Sequence, residues 1–366
     1  MFSKLFSSKS PSDEHSKTIR DFYQTYQSDI FPKGIAAVTE LTKLSVKNSN
    51  IVLSITVPFP CLGELAIFAE QLLAKHEISV LIDAEVKMIK VKEHAIEGIT
   101  NIIAISSGKG GVGKSTTAVN LAYALQEEGA NVGILDADIY GPSIPKMLGL
   151  AGQRLSSIDG KKMQPLESGG LAAMSIGFLT DENDATIWRG PMASRAFGQL
   201  LNETAWSDLD YLIVDMPPGT GDIQLTLAQQ VPVAAAIVIT TPQDIALNDA
   251  VKGLAMFKEV KVPVLGIIEN MSYHICDNCG EKSHLFGRDG GVKISTKFNC
   301  ELLGQLPLDI SICESADQGN SQVLENSTGE VALQYRRIAT KIASGLFHQL
   351  DKRSPLTKEI LIKTVD

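Results

Sequence analysis

The densest chemistry in the chain lies in one loop. Gly108-Lys109-Gly110-Gly111-Val112-Gly113-Lys114-Ser115 fits G-x-x-x-x-G-K-[ST] at every fixed position. The chemistry of that pattern is phosphate binding. Its glycines let backbone N–H groups turn inward and approach an anion closely. An apolar run, "NIIAIS", precedes the loop and a helical stretch beginning "STTAVNLA" follows it, so the helix dipole adds to the attraction. Lys114 is placed to reach the β- and γ-phosphates and Ser115 to ligate Mg²⁺. With Thr116, residues 108–116 form the candidate phosphate-binding stretch.

Acidic residues stand where such a site needs them. Asp136 and Asp138 follow the apolar run "NVGIL", and Asp215 closes "YLIVD". Ligands of open α/β sheets bind at the carboxyl ends of strands. Asp215 therefore reads as the carboxylate that holds Mg²⁺. Asp136 serves either the Mg²⁺ shell or its own loop. Pro217-Pro218-Gly219-Thr220-Gly221 fits a switch segment that feels the terminal phosphate. Asn270, closing "IIEN", offers an amide that can pair with the donor–acceptor edge of adenine. The sequence shows no N-K-x-D pattern for guanine, so ATP is expected over GTP.

Cys276 and Cys279 form a C-x-x-C pair in the polar stretch beyond Asn270. Such a pair is a redox couple, half a zinc site, half an iron–sulfur site, or chance. A thioredoxin-type couple belongs at a strand-to-helix turn of a smaller fold. A zinc site within one chain would add His274 and His284 at irregular spacing. Cys300 and Cys313 stand alone and read as small core residues. Cys61, in "VPFPC", reads the same way, with a reactive thiol as the alternative.

These residues need a scaffold, and the hydrophobic pattern supplies one. "NIIAIS", "NVGILDAD", "YLIVDMPP", "AAAIVITTP" and "PVLGIIENM" are continuous apolar runs, the mark of strands covered on both faces. Helical stretches separate them, so the order is that of a parallel, doubly wound sheet. Gly129 reads as the stop of the helix after the phosphate loop. A last packing helix is expected in "GEVALQYRRIATKIASGLFHQL". Before this lies a smaller unit. "NIVLSITVP" alternates as a half-buried strand, "LGELAIFAEQLLAKH" carries a helical apolar stripe, and "EVKMIKVKE" alternates imperfectly as a second strand. The expected organisation is a flexible tail over 1–30, a small α+β domain over 31–95, and the nucleotide-binding domain over 96–366.

Bulk properties narrow the function. The chain has 366 residues, 44% of them hydrophobic, which is enough for a large core beside a smaller one. A net charge of −9 argues against nucleic acid as a partner. No run of about 18 apolar residues marks a membrane span. Five cysteines thinly spread argue for a reducing compartment. The first residues are too short in apolar run for a secretory signal, and Asp13 and Glu14 disfavour a transit peptide. A cytoplasmic location is expected.

Lys109, directly after the first glycine, resembles the deviant phosphate loop of the ATPase group that includes MinD, ParA and the nitrogenase iron protein. There the extra lysine contacts phosphates, commonly those of the partner subunit's nucleotide. The resemblance implies an ATP-sandwich homodimer and a water-orienting role for Asp138. It also places Pro307, in "LGQLPLD", in the wall of the base pocket around Asn270. Longer stretches tighten the likeness: "GILDADIYGPSIP", "WRGPM", "DYLIVDMPPGTGDIQLTLAQ", "TTPQDIAL" and "ENMSYHICDNCGEKSHLFG". From about residue 100 almost to the end, the chain resembles the Mrp/ApbC iron–sulfur carrier proteins. That implies a P-loop NTPase fold with a small N-terminal α+β domain similar to the iron–sulfur assembly domain, in degenerate form. It implies a slow ATPase that binds a labile [4Fe–4S] cluster between subunits. Cluster scaffold proteins and apo iron–sulfur clients are the partners implied. On a two-fold axis two thiols per chain become four, which suits [4Fe–4S] and also tetrahedral Zn²⁺.

Two rival roles remain within the same group. A positioning ATPase of the MinD or ParA kind needs a basic amphipathic membrane helix or a basic DNA-binding surface. Pro355 interrupts the end of this chain, and neither role uses Cys276 and Cys279. A reductase like the nitrogenase iron protein has cluster cysteines far apart in sequence.

Overall fold

A computed structural model describes residues 11–139, 141–157, 160–179, 190–276 and 278–352. The first helix, α1 (Asp13–Thr25), is capped by Ser12, whose hydroxyl accepts from His15 N. Strands β1 (Glu40–Lys47), β2 (Asn50–Val57) and β3 (Val80–Val86) form a sheet in that order, β1 antiparallel and β3 parallel to β2. Helix α2 (Leu62–His76) makes the crossover between β2 and β3.

Two expectations need correction here. The flexible tail expected over 1–30 is helical from Asp13, and residues 1–10 lie outside the described residues. Ile19, Phe22, Tyr23 and Tyr26 fall at i, i+3, i+4 and i+7 and are all buried. Phe22 and Tyr26 pack on Phe68 of α2 with ring centroids 5.2 and 5.1 Å apart. A short stripe in a polar segment is enough once a neighbouring helix offers a face. Second, the strand expected over 85–93 lies earlier, at β3. The later residues bond to a side chain instead of a strand: Asn101 Oδ1 accepts from Val91 N at 2.8 Å, and its amide donates to Ile89 O at 3.0 Å.

The second unit begins with β4 (Ile99–Ser107), α3 (Lys114–Glu127) and β5 (Val132–Asp136). Next come α4 (Ile144–Met147), the short ladder β6 (Ser156–Ser157) with β7 (Met163–Gln164), then β8 (Leu166–Ser168), β9 (Leu171–Ser175) and α5 (Gly190–Asn202). β10 (Leu209–Asp215), α6 (Asp222–Gln230), β11 (Ala235–Thr240) and α7 (Asp244–Glu259) continue the alternation. β12 (Val264–Ile275), β13 (Lys282–Ser283), α8 (Gly290–Phe298) and β14 (Glu301–Pro307) lead to α9 (Ile310–Asp317), α10 (Gln322–Glu325) and α11 (Glu330–Lys352).

The main sheet runs β13-β12-β11-β4-β10-β5-β9-β8, with β14 also on β12. Pairings are parallel except those of β8 with β9 and β13 with β12. β4, β5, β10 and β11 are almost wholly buried, as their unbroken apolar runs require. α3 ends in a Schellman turn: Gly129 at φ +103° bonds back to Gln126 O, and Ala130 N to Leu125 O. α11 lies along the seam of the two units. Tyr335, Ile338, Ile342 and Leu346 are buried on it, Ser344 Oγ donates to Ile30 O at 2.8 Å, and Phe347 packs on Phe59. Glu128, buried at the end of α3, accepts from Gly63 N at 2.6 Å and from Arg336 Nε at 2.8 Å, joining α3, α2 and α11.

Candidate nucleotide site and cysteine hairpin

The phosphate loop sits between the end of β4 and the start of α3, and its glycines have separable reasons. A Cβ on Gly108 would run into Asp249 O of α7. Gly113 has φ +80°, and a Cβ there would strike the Asn270 amide nitrogen. At Gly110 and Gly111 a Cβ would meet nothing within 4 Å. Gly111 is held at φ +79°, a backbone conformation that favours glycine whatever the space; at Gly110 nothing in the protein demands glycine, whereas close approach of a phosphate to the backbone does. Lys109 is exposed at the tip, and its carbonyl accepts from Ser107 Oγ at 2.9 Å.

Lys114 is buried, with Nζ 2.6 Å from Asp215 Oδ1 and 3.1 Å from Ser115 Oγ. Asp215 is fully buried, and its Oδ2 has no hydrogen-bond partner among the described residues. A hydroxyl and a carboxylate with a spare oxygen, both bonded by Lys114 Nζ, are the hard donors Mg²⁺ takes. Asp136 is also fully buried. Its Oδ1 accepts from Asp138 N at 3.0 Å, its Oδ2 from Ser175 Oγ at 3.1 Å and Ile144 N at 3.3 Å. Burial, followed by the charge of Asp215, pushes its carboxyl well above the ordinary range. Of its two expected roles, these bonds are those of a loop brace.

Asp138 is half-buried on the wall of a cleft of about 940 Å³ that Arg195, Pro217, Pro218, Asp222 and Gln224 also line. Trp188 and Arg189 of "WRGPM" lie outside the described residues. The switch segment is tied to the phosphate-loop strand, Gly219 N donating to Ser107 O at 2.9 Å. Gln224, which sequence reading missed, reinforces that tie. It is buried, and its Nε2 donates to Ser106 Oγ at 3.2 Å and to Pro217 O. A polar residue two places into a helix after a glycine turn carries no distinctive signal.

Asn270 is buried, and its Nδ2 donates to Val112 O at 2.9 Å, so one amide hydrogen already braces the phosphate loop. Thr116 is half-buried in the first turn of α3, and its carbonyl accepts from Asn120. Pro307 ends β14, in register with Tyr273 of β12, and is buried.

The cysteine stretch is not the simple loop expected after the strand. β12 continues through Ile275 and β13 returns antiparallel, pairing His274 with Ser283 and Ile275 with Lys282. Cys276 N donates to Glu281 O at 3.0 Å and Gly280 N to Cys276 O at 2.8 Å, closing the tip with Gly280 at φ +70°. Cys276 is half-buried and Cys279 exposed. His274 Nδ1 lies 3.2 Å from Leu308 O, and His284 Nδ1 lies 2.9 Å from Ser272 O. Among the described residues no three His, Cys, Asp or Glu side chains gather as a metal site. Cys61 is fully buried at the start of α2, where burial pushes its thiol up, against the reactive alternative. Cys300 is half-buried, whereas Cys313 is exposed, not a core residue.

Comparison with known proteins extends this picture. Residues 98–343 match the family model described as ParA, NUBPL iron-transfer P-loop NTPase. The chain is 47% identical over 373 residues to an iron–sulfur cluster carrier protein of Haemophilus influenzae, covering 98% of this chain and 99% of that one. It is 58% identical over 266 residues to the iron–sulfur cluster carrier protein of Escherichia coli K12, covering 73% and 72%. A solved nucleotide-binding protein of Archaeoglobus fulgidus, in complex with ADP, superposes with a TM-score of 0.57 at 36% identity, covering 64% of this chain and 92% of that one.

Proposed function

The chain belongs to the ParA/NUBPL family of iron-transfer P-loop NTPases, and on that premise we propose an ATP-hydrolysing carrier that holds its iron–sulfur cluster between two copies of itself. The observation that carries this reading is the cysteine hairpin. It presents two thiols at an accessible tip, with no third ligand gathered beside them among the described residues. A second hairpin across a two-fold axis supplies the missing two, and four thiolates suit [4Fe–4S]. Zn²⁺ is the rival occupant of the same four sulfurs. The cluster is cargo: it arrives from a scaffold protein and leaves to an apo-protein by exchange of thiolate ligands, with no net redox change. The small N-terminal unit is the degenerate assembly-like domain.

At the nucleotide site, the N–H groups of the loop and Lys114 bind the phosphates, and Lys109 at the exposed tip reaches the partner's nucleotide. Asp138 orients the water that attacks the γ-phosphorus, and the bond to the β–γ bridging oxygen breaks. Ser115 and Asp215 would hold Mg²⁺, which supplies neutralising charge between the phosphates when bound. Asn270 and Pro307 border the adenine. Hydrolysis is slow and coupled to loading or release of the cluster.

The test is anaerobic reconstitution of the wild type and Cys279→Ala, with iron, sulfide and molecular mass measured together. Four iron and four sulfide per dimer are expected for wild type, with absorbance near about 400 nm, and neither for the variant. Equal iron in both proteins would overturn the assignment, and zinc without sulfide would assign the rival metal.

A further inference from the structure

The nucleotide site and the cysteine hairpin share one strand, and its course between them is irregular. β12 pairs with β14 at Glu269↔Gln305 and next at Tyr273↔Pro307. Three residues on β12 thus face one on β14, which is a bulge. Met271 stands inside it at φ +54°, a left-handed conformation that non-glycine residues seldom adopt. The bulge turns Asn270 towards the phosphate loop, where its amide meets Val112 O.

Glu269 lies at the root of this bulge. It is fully buried, and none of the roles above uses it. Its Oε1 accepts from Ser272 Oγ at 2.6 Å and from Gln305 Nε2 at 2.8 Å, and its Oε2 accepts from Gly291 N. Gln305 Nε2 also donates to Ser272 Oγ at 3.0 Å. The three partners come from different places. Ser272 is on the leg that leads out to Cys276. Gly291 is at the start of α8, on the chain returning from Cys279. Gln305 is on the neighbouring strand. His284 Nδ1, beside Ser272 O on the return leg, ties the two legs again. A Cβ on Gly291 would lie 3.1 Å from Glu269 Oε2, so glycine there lets the backbone close on the carboxylate.

We propose that Glu269 is a positioning residue that clamps the outgoing leg of the Cys276–Cys279 hairpin, and the start of α8 to which its return leg leads, to the strand end braced against the phosphate loop. A displacement of the loop is carried to the thiols through Asn270, the bulge and this carboxylate. The buried carboxylate with charge-assisted bonds in three directions makes the joint stiff. This rests on the proposed function only in taking the thiols as the cluster's ligands. The coupling itself is a property of the metal-free protein.

The experiment uses the full chain without cluster. The rate at which Cys276 and Cys279 react with a chromogenic disulfide is measured without nucleotide, with ADP and with a non-hydrolysable ATP analogue. Exposed Cys313 and half-buried Cys300 are replaced by Ser throughout, which leaves Cys276 and Cys279 as the thiols that are not fully buried. Wild type is expected to change rate severalfold between nucleotide states. Glu269→Gln removes the charge and turns one accepting oxygen into an N–H donor, so the three bonds survive only if Ser272 or Gln305 reverses from donor to acceptor, and none keeps its charge assistance. It is expected to lose that response while binding ADP with unchanged affinity and keeping a native circular dichroism spectrum. Ser272→Ala frees only the outgoing leg and serves if Glu269→Gln does not fold; it is expected to show the same loss. A full response in the folded Glu269→Gln, or in Ser272→Ala when Glu269→Gln does not fold, overturns the proposal. So does a wild type whose thiols ignore nucleotide. Iron binding, measured separately on wild type, tests the cargo, so failure of one reading leaves the other legible.

Discussion

Two glycines of the phosphate loop should respond oppositely to the same substitution. In Gly113→Ala the new Cβ must sit at φ +80° and displace the Asn270 amide. Left-handed backbone costs a non-glycine residue about 1–2 kcal/mol, and losing the Asn270–Val112 bond adds about 1 kcal/mol. The variant should therefore lose roughly 2–3 kcal/mol of stability before any nucleotide is present. In Gly110→Ala the Cβ meets nothing within 4 Å, and stability should stay within about 0.5 kcal/mol of wild type, as for an open surface position. The same Cβ stands where a phosphate must approach the backbone. Loss of one charge-assisted N–H bond, worth about 1.5–3 kcal/mol, should weaken ADP binding by roughly 10- to 150-fold. Denaturant unfolding without nucleotide and titration with a fluorescent ADP separate the two effects. A Gly110→Ala protein that binds ADP like wild type would refute the phosphate-cradle reading. One destabilised as much as Gly113→Ala would refute the packing argument.

Further outcomes follow from the buried charges. Lys114→Met leaves Asp215 fully buried without its partner at 2.6 Å; removing one member of a buried pair costs about 3–5 kcal/mol, so the unfolding midpoint should fall sharply and ADP binding should be lost. Asp136 has its folded pKa raised above the ordinary aspartate value. As pH rises from that value towards the folded pKa, the unfolded chain releases the proton first and stability falls, by up to about 1.4 kcal/mol per pH unit. Asp136→Asn should flatten this slope in unfolding curves over a pH series, and an unchanged slope would assign it to another group. Arg336→Ala strips Glu128 of one partner at the seam. Because Arg336 is itself partly exposed, a discounted loss of about 1–3 kcal/mol is expected, seen as faster proteolysis between the two units.

The second unit was legible in the sequence because its strands are buried on both faces. Continuous apolar runs such as Leu212–Val214 and Ile237–Ile239 suit a covered strand and would be costly on a solvated one. The phosphate loop was legible because its glycines and Lys114 keep fixed spacing. Other parts were masked by identifiable physics. β1 is half-exposed, and a register shift between Leu41 and Lys43 breaks its alternation. α1 carried the right stripe in a segment whose average composition is polar. The outgoing leg of the cysteine hairpin reads as loop because Ser272, Tyr273 and His274 are not a strand-like run. Its ladder is completed by β13, and Lys282 Nζ sits 3.5 Å over the Tyr273 ring. Glu269 was invisible because its importance lies in partners 3, 22 and 36 positions away. A lone acid inside "GIIEN" was the only hint: a charge in a buried strand must be satisfied by something.

The two sites of the second unit hold their functional groups in opposite ways, and the contrast follows from what each must do. The nucleotide site encloses Lys114, Asp136 and Asp215 and fixes them by buried bonds, as catalysis of phosphoryl transfer requires positioned, preorganised charge. The cysteine site is left at the accessible tip of a hairpin with two thiols and an exposed Cys279. A buried cage with all ligands on one chain would bind metal tightly and release it slowly. In the proposed carrier, splitting the ligands between two chains makes retention depend on how the subunits are held, and an accessible tip admits an incoming thiol. β12 carries Asn270 at the phosphate loop and leads directly into Cys276 beyond Ile275. At about 3.3 Å per residue the span between them is at most about 20 Å. Over that distance a strand with clamped roots transmits a displacement, and a frayed one absorbs it. That is why the carboxylate at the bulge matters more to the carrier than its distance from either reacting centre suggests.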